Sequence, residues 1–139
     1  MAATGELTFS GSTETALLAD VLGGVLFHVV DYVGPDQPGV FTTVIERISE
    51  VLDCNYTMND LQSARERTAG SKLDDAIVEV DRGDRLLILQ LFSELVITKA
   101  EGISPSAVTI IEKMGKRLGL APATIEREVM AVVALVNWN

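Results

Sequence analysis

Apolar residues recur every three to four positions along most of this chain, and no stretch alternates apolar and polar residues for long enough to make a strand. The first such stretch follows Ser12-Thr13-Glu14-Thr15, where a hydroxyl cap precedes an apolar run that reaches about Val33. Within it, Asp20, Gly24, His28 and Asp31 are spaced by four, four and three, which places them on one narrow stripe of a helix. Everything else there is apolar apart from the hydroxyl and glycine positions, so the pattern predicts a central helix surrounded by others, with one strip reaching water. Gly34-Pro35 stops it, because proline disfavours helical geometry in the residue before it.

Six further helices follow from the same periodicity. Asp36 is placed to cap a helix over 37–52, with Val40 or Phe41, Val44, Ile48 and Val51 inward. Thr57 or Asn59 caps a short one over 60–68, and Ala69-Gly70-Ser71 breaks it. Leu73, Ile77 and Val80 form the inner face of 72–80, with Asp74, Asp75 and Glu79 outward. After the interruption Asp81-Arg82-Gly83, an amphipathic run covers 84–100, with an inward set drawn from Leu86 or Leu87, Leu89 or Gln90, Phe92 or Ser93, and Val96. Gly102 is a helix stop, Ser104 a cap and Pro105 a first-turn proline, so 105–118 begins cleanly, and 122–138 closes the chain. The expectation is an all-α bundle of about seven helices, with residues 1–11 as a disordered leader and 12–139 as one helical domain.

Composition agrees and narrows the classes. A chain of 139 residues with 47% hydrophobic but only 5% aromatic side chains builds its core from aliphatics, the currency of helix-on-helix packing. Twenty acidic against eleven basic residues leave a net charge of −9, which repels a phosphate backbone, so nucleic acid is not an expected partner. The densest basic cluster, Lys113, Lys116 and Arg117, ends a predicted helix, where cations offset the helix dipole. One cysteine, Cys54, precludes an intrachain disulfide and a thiolate cluster, and points to a reducing, cytoplasmic setting in which the thiol is half-buried packing. The beginning of the chain lacks the pattern of a signal peptide. The first helix is long enough to span a bilayer, but Asp20 and Asp31 would each cost roughly 2.5–3.5 kcal/mol at such depth, so a buried core helix is expected and no transmembrane segment.

An internal similarity stands out. Thr43-Val44-Ile45-Glu46-Arg47-Ile48 matches Thr109-Ile110-Ile111-Glu112-Lys113-Met114 class for class, and Leu52 falls on Leu118 at the same offset. Each copy follows a long apolar helix ending in an acidic, glycine-containing turn, Asp31 to Asp36 in one and Glu101 to Pro105 in the other. The chain thus reads as two pseudo-repeated helical hairpins. Its second half, with Ala100-Glu101-Gly102, Ile103, Ser104-Pro105 and Leu118-Gly119-Leu120 in order, resembles the TerB-like family of tellurite-resistance-associated domains. That resemblance covers about the last 55 residues by motif and the first half through the repeat. It implies a noncatalytic all-α module of stress-response or membrane-associated complexes, with acidic helix turns that hold a divalent cation or dock a partner. The family's turn is usually Asp-Gly with further acids downstream, whereas here the acid is Glu101 and Ser106 and Ala107 take the place of those acids.

Two functional expectations follow. The first is a noncatalytic, acidic interaction or scaffold module, with Asp74, Asp75 and Glu79 steering a basic or membrane-associated protein partner and Met130 and Trp138 on a last helix wider in apolar surface than one core contact needs. Self-association through that end is the related expectation. The second is a calcium-like divalent cation shared between the two repeat turns through Asp31, Asp36 and Glu101, although such a cation takes about six to eight oxygens and each turn alone supplies too few. No other cofactor is implied. His28, the lone imidazole, shares a face with Asp31 and has Asp20 as a stripe neighbour, but a hydrolase there would need a nucleophile or water and a group to stabilise developing charge. Gly23-Gly24 costs on the order of 1 kcal/mol per glycine against alanine within a helix, which close approach of a neighbouring helix or a cleft would have to offset.

Overall fold

The structure, a computed structural model, describes residues 9–99 and 104–138, the side chains of Lys99 and of residues 135–138 excepted. Its elements are seven helices: α1 (Thr15–Val33), α2 (Val40–Leu52), α3 (Met58–Arg67), α4 (Lys72–Val78), α5 (Arg82–Lys99), α6 (Pro105–Arg117) and α7 (Pro122–Trp138). The fold is therefore an all-α bundle, with no strand among the described residues.

α1 is its centre and packs against α2, α3, α4 and α5, while α6 and α7 pack on each other and on α5. From Val21 to Phe27 every residue of α1 is buried, and Val29 and Val30 continue the core. By length and composition α1 could cross a membrane, but its buried residues are spent on the other helices of the fold. The predicted stripe largely holds: Asp31 is exposed and Asp20 and His28 are half-buried. Gly24 departs from it, because Thr68 and Leu73 close over that position.

The glycine pair is explained by packing. A Cβ on Gly23 would lie 2.5 Å from both the Ala64 Cβ and the Tyr56 hydroxyl, and one on Gly24 would overlap the Thr68 hydroxyl and stand 3.2 Å from Leu73 Cδ1. The missing side chains thus let α3 and the start of α4 lie against α1.

Capping explains most helix ends. Thr57 and Asp60 form a reciprocal box at α3, with Asp60 N–H donating to Thr57 Oγ1 at 3.1 Å and Thr57 N–H donating to Asp60 Oδ2 at 2.9 Å. Ser104 Oγ accepts from Ala107 N–H at 3.1 Å with Pro105 in the first turn of α6, as its sequence predicts; Gly102 lies outside the described residues. Gly34, at φ 113°, ends α1 and donates its N–H to Val30 O at 2.8 Å.

Four local expectations are corrected. Asp36 does not cap α2: a turn from Gln37 to Val40 centred on Pro38-Gly39 intervenes, and the helix starts at Val40 behind Gly39, whose φ of 80° suits only glycine well. α5 starts two residues before Asp84, because the Asp81 carboxylate accepts from Gly83 N–H at 3.1 Å and so caps a helix that includes Arg82-Gly83. α5 is also buried on more than one face: Ile88, Leu89, Leu91, Phe92, Ser93, Leu95, Val96 and Ile97 are all buried, since α1, α6 and α7 enclose it. Cys54, expected to be half-buried, is exposed just after the left-handed Asp53 that ends α2.

The start of the chain is a further departure. Phe9 packs on the core, Ser10 bonds to Asp84 through its N–H and its hydroxyl, and Thr13 uses its hydroxyl on Asp84 rather than to cap α1. The described part of the expected leader is thus fastened to α5, and the Asp84 that receives it is 1% exposed.

Candidate functional site

Two surface features gather chemistry. The first is a groove between α1, the α3–α4 turn and α6, made of two cavities that share His28 and Arg117. One, of about 580 Å³, is walled mainly by α6 through Thr109, Ile110, Lys113 and Met114. The other, of about 340 Å³, brings Arg65, Thr68 and Gly70 to the same edge as Asp31.

Each side chain is held for a definable reason. His28 Nδ1 lies 2.9 Å from Gly24 O, one helical turn back, so Nδ1 carries the proton and donates, and Nε2 is the nitrogen left for other partners. The Arg65 guanidinium lies 4.3 Å over the Phe27 ring, a cation–π contact that fixes its plane. Arg117 donates from Nε to Asp74 Oδ1 at 2.8 Å and from one terminal nitrogen to Gly70 O at 2.7 Å. It therefore joins the end of α6 to the α3–α4 turn, a role that the helix-dipole reading of this basic cluster missed. Among the described residues neither Arg65 nor Lys113 is ion-paired.

Hydroxyls also line this groove, but they are committed elsewhere. Ser106 Oγ lies 2.8 Å from Tyr32 Oη and 3.1 Å from Ser104 Oγ, and Thr109 Oγ1 donates to Pro105 O at 2.9 Å. His28 bonds to backbone rather than to Asp31 or to a hydroxyl, so the His28–Asp31 dyad is not assembled. Asp20, its expected electrostatic neighbour, instead takes a two-pronged bond from Arg67, at 2.6 and 3.0 Å. That pair borders a third cavity with Tyr56 and Asp60. Burial first, then the Asp60 and Asp20 carboxylates, push the Tyr56 phenol well above its usual range.

The second feature is the outer edge of α4. Asp74, Asp75 and Glu79 are exposed, as their spacing predicts, and Val78 among them is 70% exposed. Asp74 is shared with the groove through Arg117. Arg85 turns to backbone rather than to these acids, donating to Val80 O at 2.9 Å and Val78 O at 3.2 Å. On α7 Met130 is 64% exposed, and the Trp138 side chain lies outside the described residues.

Of the proposed cation ligands, Asp31 and Asp36 are exposed on either side of the Gly34-Pro35 turn, and Glu101 lies outside the described residues. Among the described residues no three carboxylate, imidazole or thiol side chains are grouped as a metal site. The groove itself was not legible beforehand. Its cations come from helices distant in sequence, and the only hint was the amphipathic polar face shared by Lys113 and Arg117. Compared with protein-family models, with curated proteins and with solved structures, the chain finds no match.

Proposed function

We propose that this chain is a noncatalytic helical interaction module that docks a basic protein partner on the outer edge of α4. The observation that carries the reading is Val78, the most exposed large aliphatic side chain among the described residues, set amid the exposed carboxylates of Asp74, Asp75 and Glu79. α4 packs chiefly on α1 through Leu73 and Ile77, so its opposite side is free to receive another surface. Asp74 is paired with Arg117, whereas Asp75 and Glu79 make no ion pair among the described residues, and an apolar contact flanked by such acids gives a partner a desolvated centre and an electrostatically steered approach. The commitment of the groove hydroxyls of Ser106 and Thr109 to other bonds supports a noncatalytic role. The TerB-like resemblance of the second half suggests the setting, a cytoplasmic stress-response assembly or one gathered at a membrane.

The test is site-specific photocrosslinking in the native cells, with the crosslinking residue at position 78 and, as a reference, at exposed Gln62 on α3. A discrete adduct at 78 that disappears when Asp75 and Glu79 are changed to Lys is expected. Equal labelling at 78 and 62, or an adduct indifferent to the charge reversal, would sink the reading.

A further inference from the structure

We infer that the groove between α1, the α3–α4 turn and α6 binds a small anionic amphiphile, its charged group between Arg65 and Arg117 and its apolar part along Ile110 and Met114. The site meets the α4 docking surface only at the Arg117–Asp74 pair, and either can stand without the other.

Charge argues for the anionic end. The chain as a whole carries −9, yet Arg65, Lys113 and Arg117 converge on this one groove. Arg117 is partly neutralised by Asp74 and Asp31 on the rim offsets one of the two other cations, Arg65 and Lys113, so the groove keeps a net positive charge in an otherwise acidic chain. Arg65 is held flat on Phe27 rather than by a carboxylate, which leaves its donors open, and a planar guanidinium suits a carboxylate or phosphate. Arg117 Nε and one terminal nitrogen are used on Asp74 and Gly70, while its other terminal nitrogen makes no bond shorter than 3.5 Å to a described residue.

Shape argues for the apolar end. Arg65 lines the smaller cavity and Arg117 lines both, while the larger one adds the apolar side chains of Ile110 and Met114 beside Lys113. Cavities of about 580 and 340 Å³ fall within the usual small-molecule range of about 300–1,000 Å³. A ligand with one charged end and a short alkyl body would use both cavities at once.

The experiment is a backbone amide NMR titration of the full chain with octyl phosphate below its micellar concentration, beside inorganic phosphate and the neutral octyl glucoside. Octyl phosphate should give saturable shifts at Gly24, Gly70 and Thr109. Arg65→Gln, at an exposed position, should weaken binding by about tenfold or more, the size of one charge-assisted hydrogen bond, Lys113→Gln on the wall of the larger cavity should weaken it less, and Asp31→Asn should tighten it. Equal affinity for octyl glucoside, or no loss in Arg65→Gln with its native spectrum intact, overturns anion recognition. Inorganic phosphate binding as tightly as octyl phosphate overturns the apolar half, and no saturable shift from any of the three overturns the site.

Discussion

Thr13 Oγ1 donates a 2.7 Å hydrogen bond to Asp84 Oδ2 across 71 residues of chain. Ser10 adds two more bonds to the same carboxylate, from its N–H at 2.8 Å and its hydroxyl at 3.0 Å, and Thr13 Oγ1 in turn accepts from Asp81 N–H at 3.0 Å. A carboxylate that is 1% exposed is thus satisfied by neutral donors and by the N-terminal turn of α5, without an ion pair among the described residues.

Asp84→Ala should therefore destabilise the fold by about 2–3 kcal/mol, because it strips buried donors of their acceptor. Asp84→Asn should cost less, since its oxygen can keep the Ser10 N–H while the hydroxyls of Ser10 and Thr13 turn to accept from its amide. Urea unfolding of the two variants checks this. Equal stability of wild type and Asp84→Ala would mean that the tether carries no weight.

Gly24→Ala should be destabilising, by about 1–3 kcal/mol, despite gaining roughly 1 kcal/mol in helix propensity. The reason is overlap with Thr68, whose own hydroxyl is fixed on Ala64 O at 2.7 Å. In a Thr68→Ala background the same change should cost measurably less, and a double-mutant cycle reads that coupling. Purely additive costs would show that the close approach of α3 to α1 is not what Gly24 serves.

Tyr56 predicts an alkaline limit. Its phenol is raised in the folded state by burial and by neighbouring carboxylates, so the unfolded chain releases that proton first. The associated stability is fully present below the unfolded value of about 10 and is lost as pH rises toward the folded one. Denaturation at pH 9 and pH 11 should show a fall in stability that is smaller in Tyr56→Phe. In spectrophotometric titration the wild type should show one phenol ionising only on unfolding.

Glu128 on α7 is raised by burial, which the side-chain hydrogen bond from Gln90 on α5 only partly offsets. The folded state thus prefers the protonated acid, and its contribution is fully present below the unfolded value of about 4.3 and lost as pH rises through the folded value. Glu128→Gln should raise the melting temperature at pH 7 and bring little change near pH 4. A lower melting temperature at pH 7 would mean that the carboxylate is favoured where it sits.

The two glycine positions show how far local pattern reaches. Gly23-Gly24 signals close approach, because a helix interior gains nothing from glycine unless something lies against it. That the approaching groups are Ala64, Tyr56, Thr68 and Leu73 required the packing of α3 and α4. Asp84 is the opposite case: it is one acid in an acidic run, and nothing within a few residues distinguishes it from its exposed neighbours Asp74, Asp75 and Asp81.

What the sequence by itself determined is the all-α class, the seven helices with most of their ends, the centrality of α1 and the outward acids of α4. These depend on periodicity and capping, which act over one or two turns of chain. The tertiary structure alone decided the all-round burial of α5, the fastening of Ser10 and Thr13 to Asp84, and the meeting of His28, Arg65 and Arg117 at one groove. Those outcomes join residues tens of positions apart, and helix faces of similar apolar character leave such pairings open until the chain packs into one bundle.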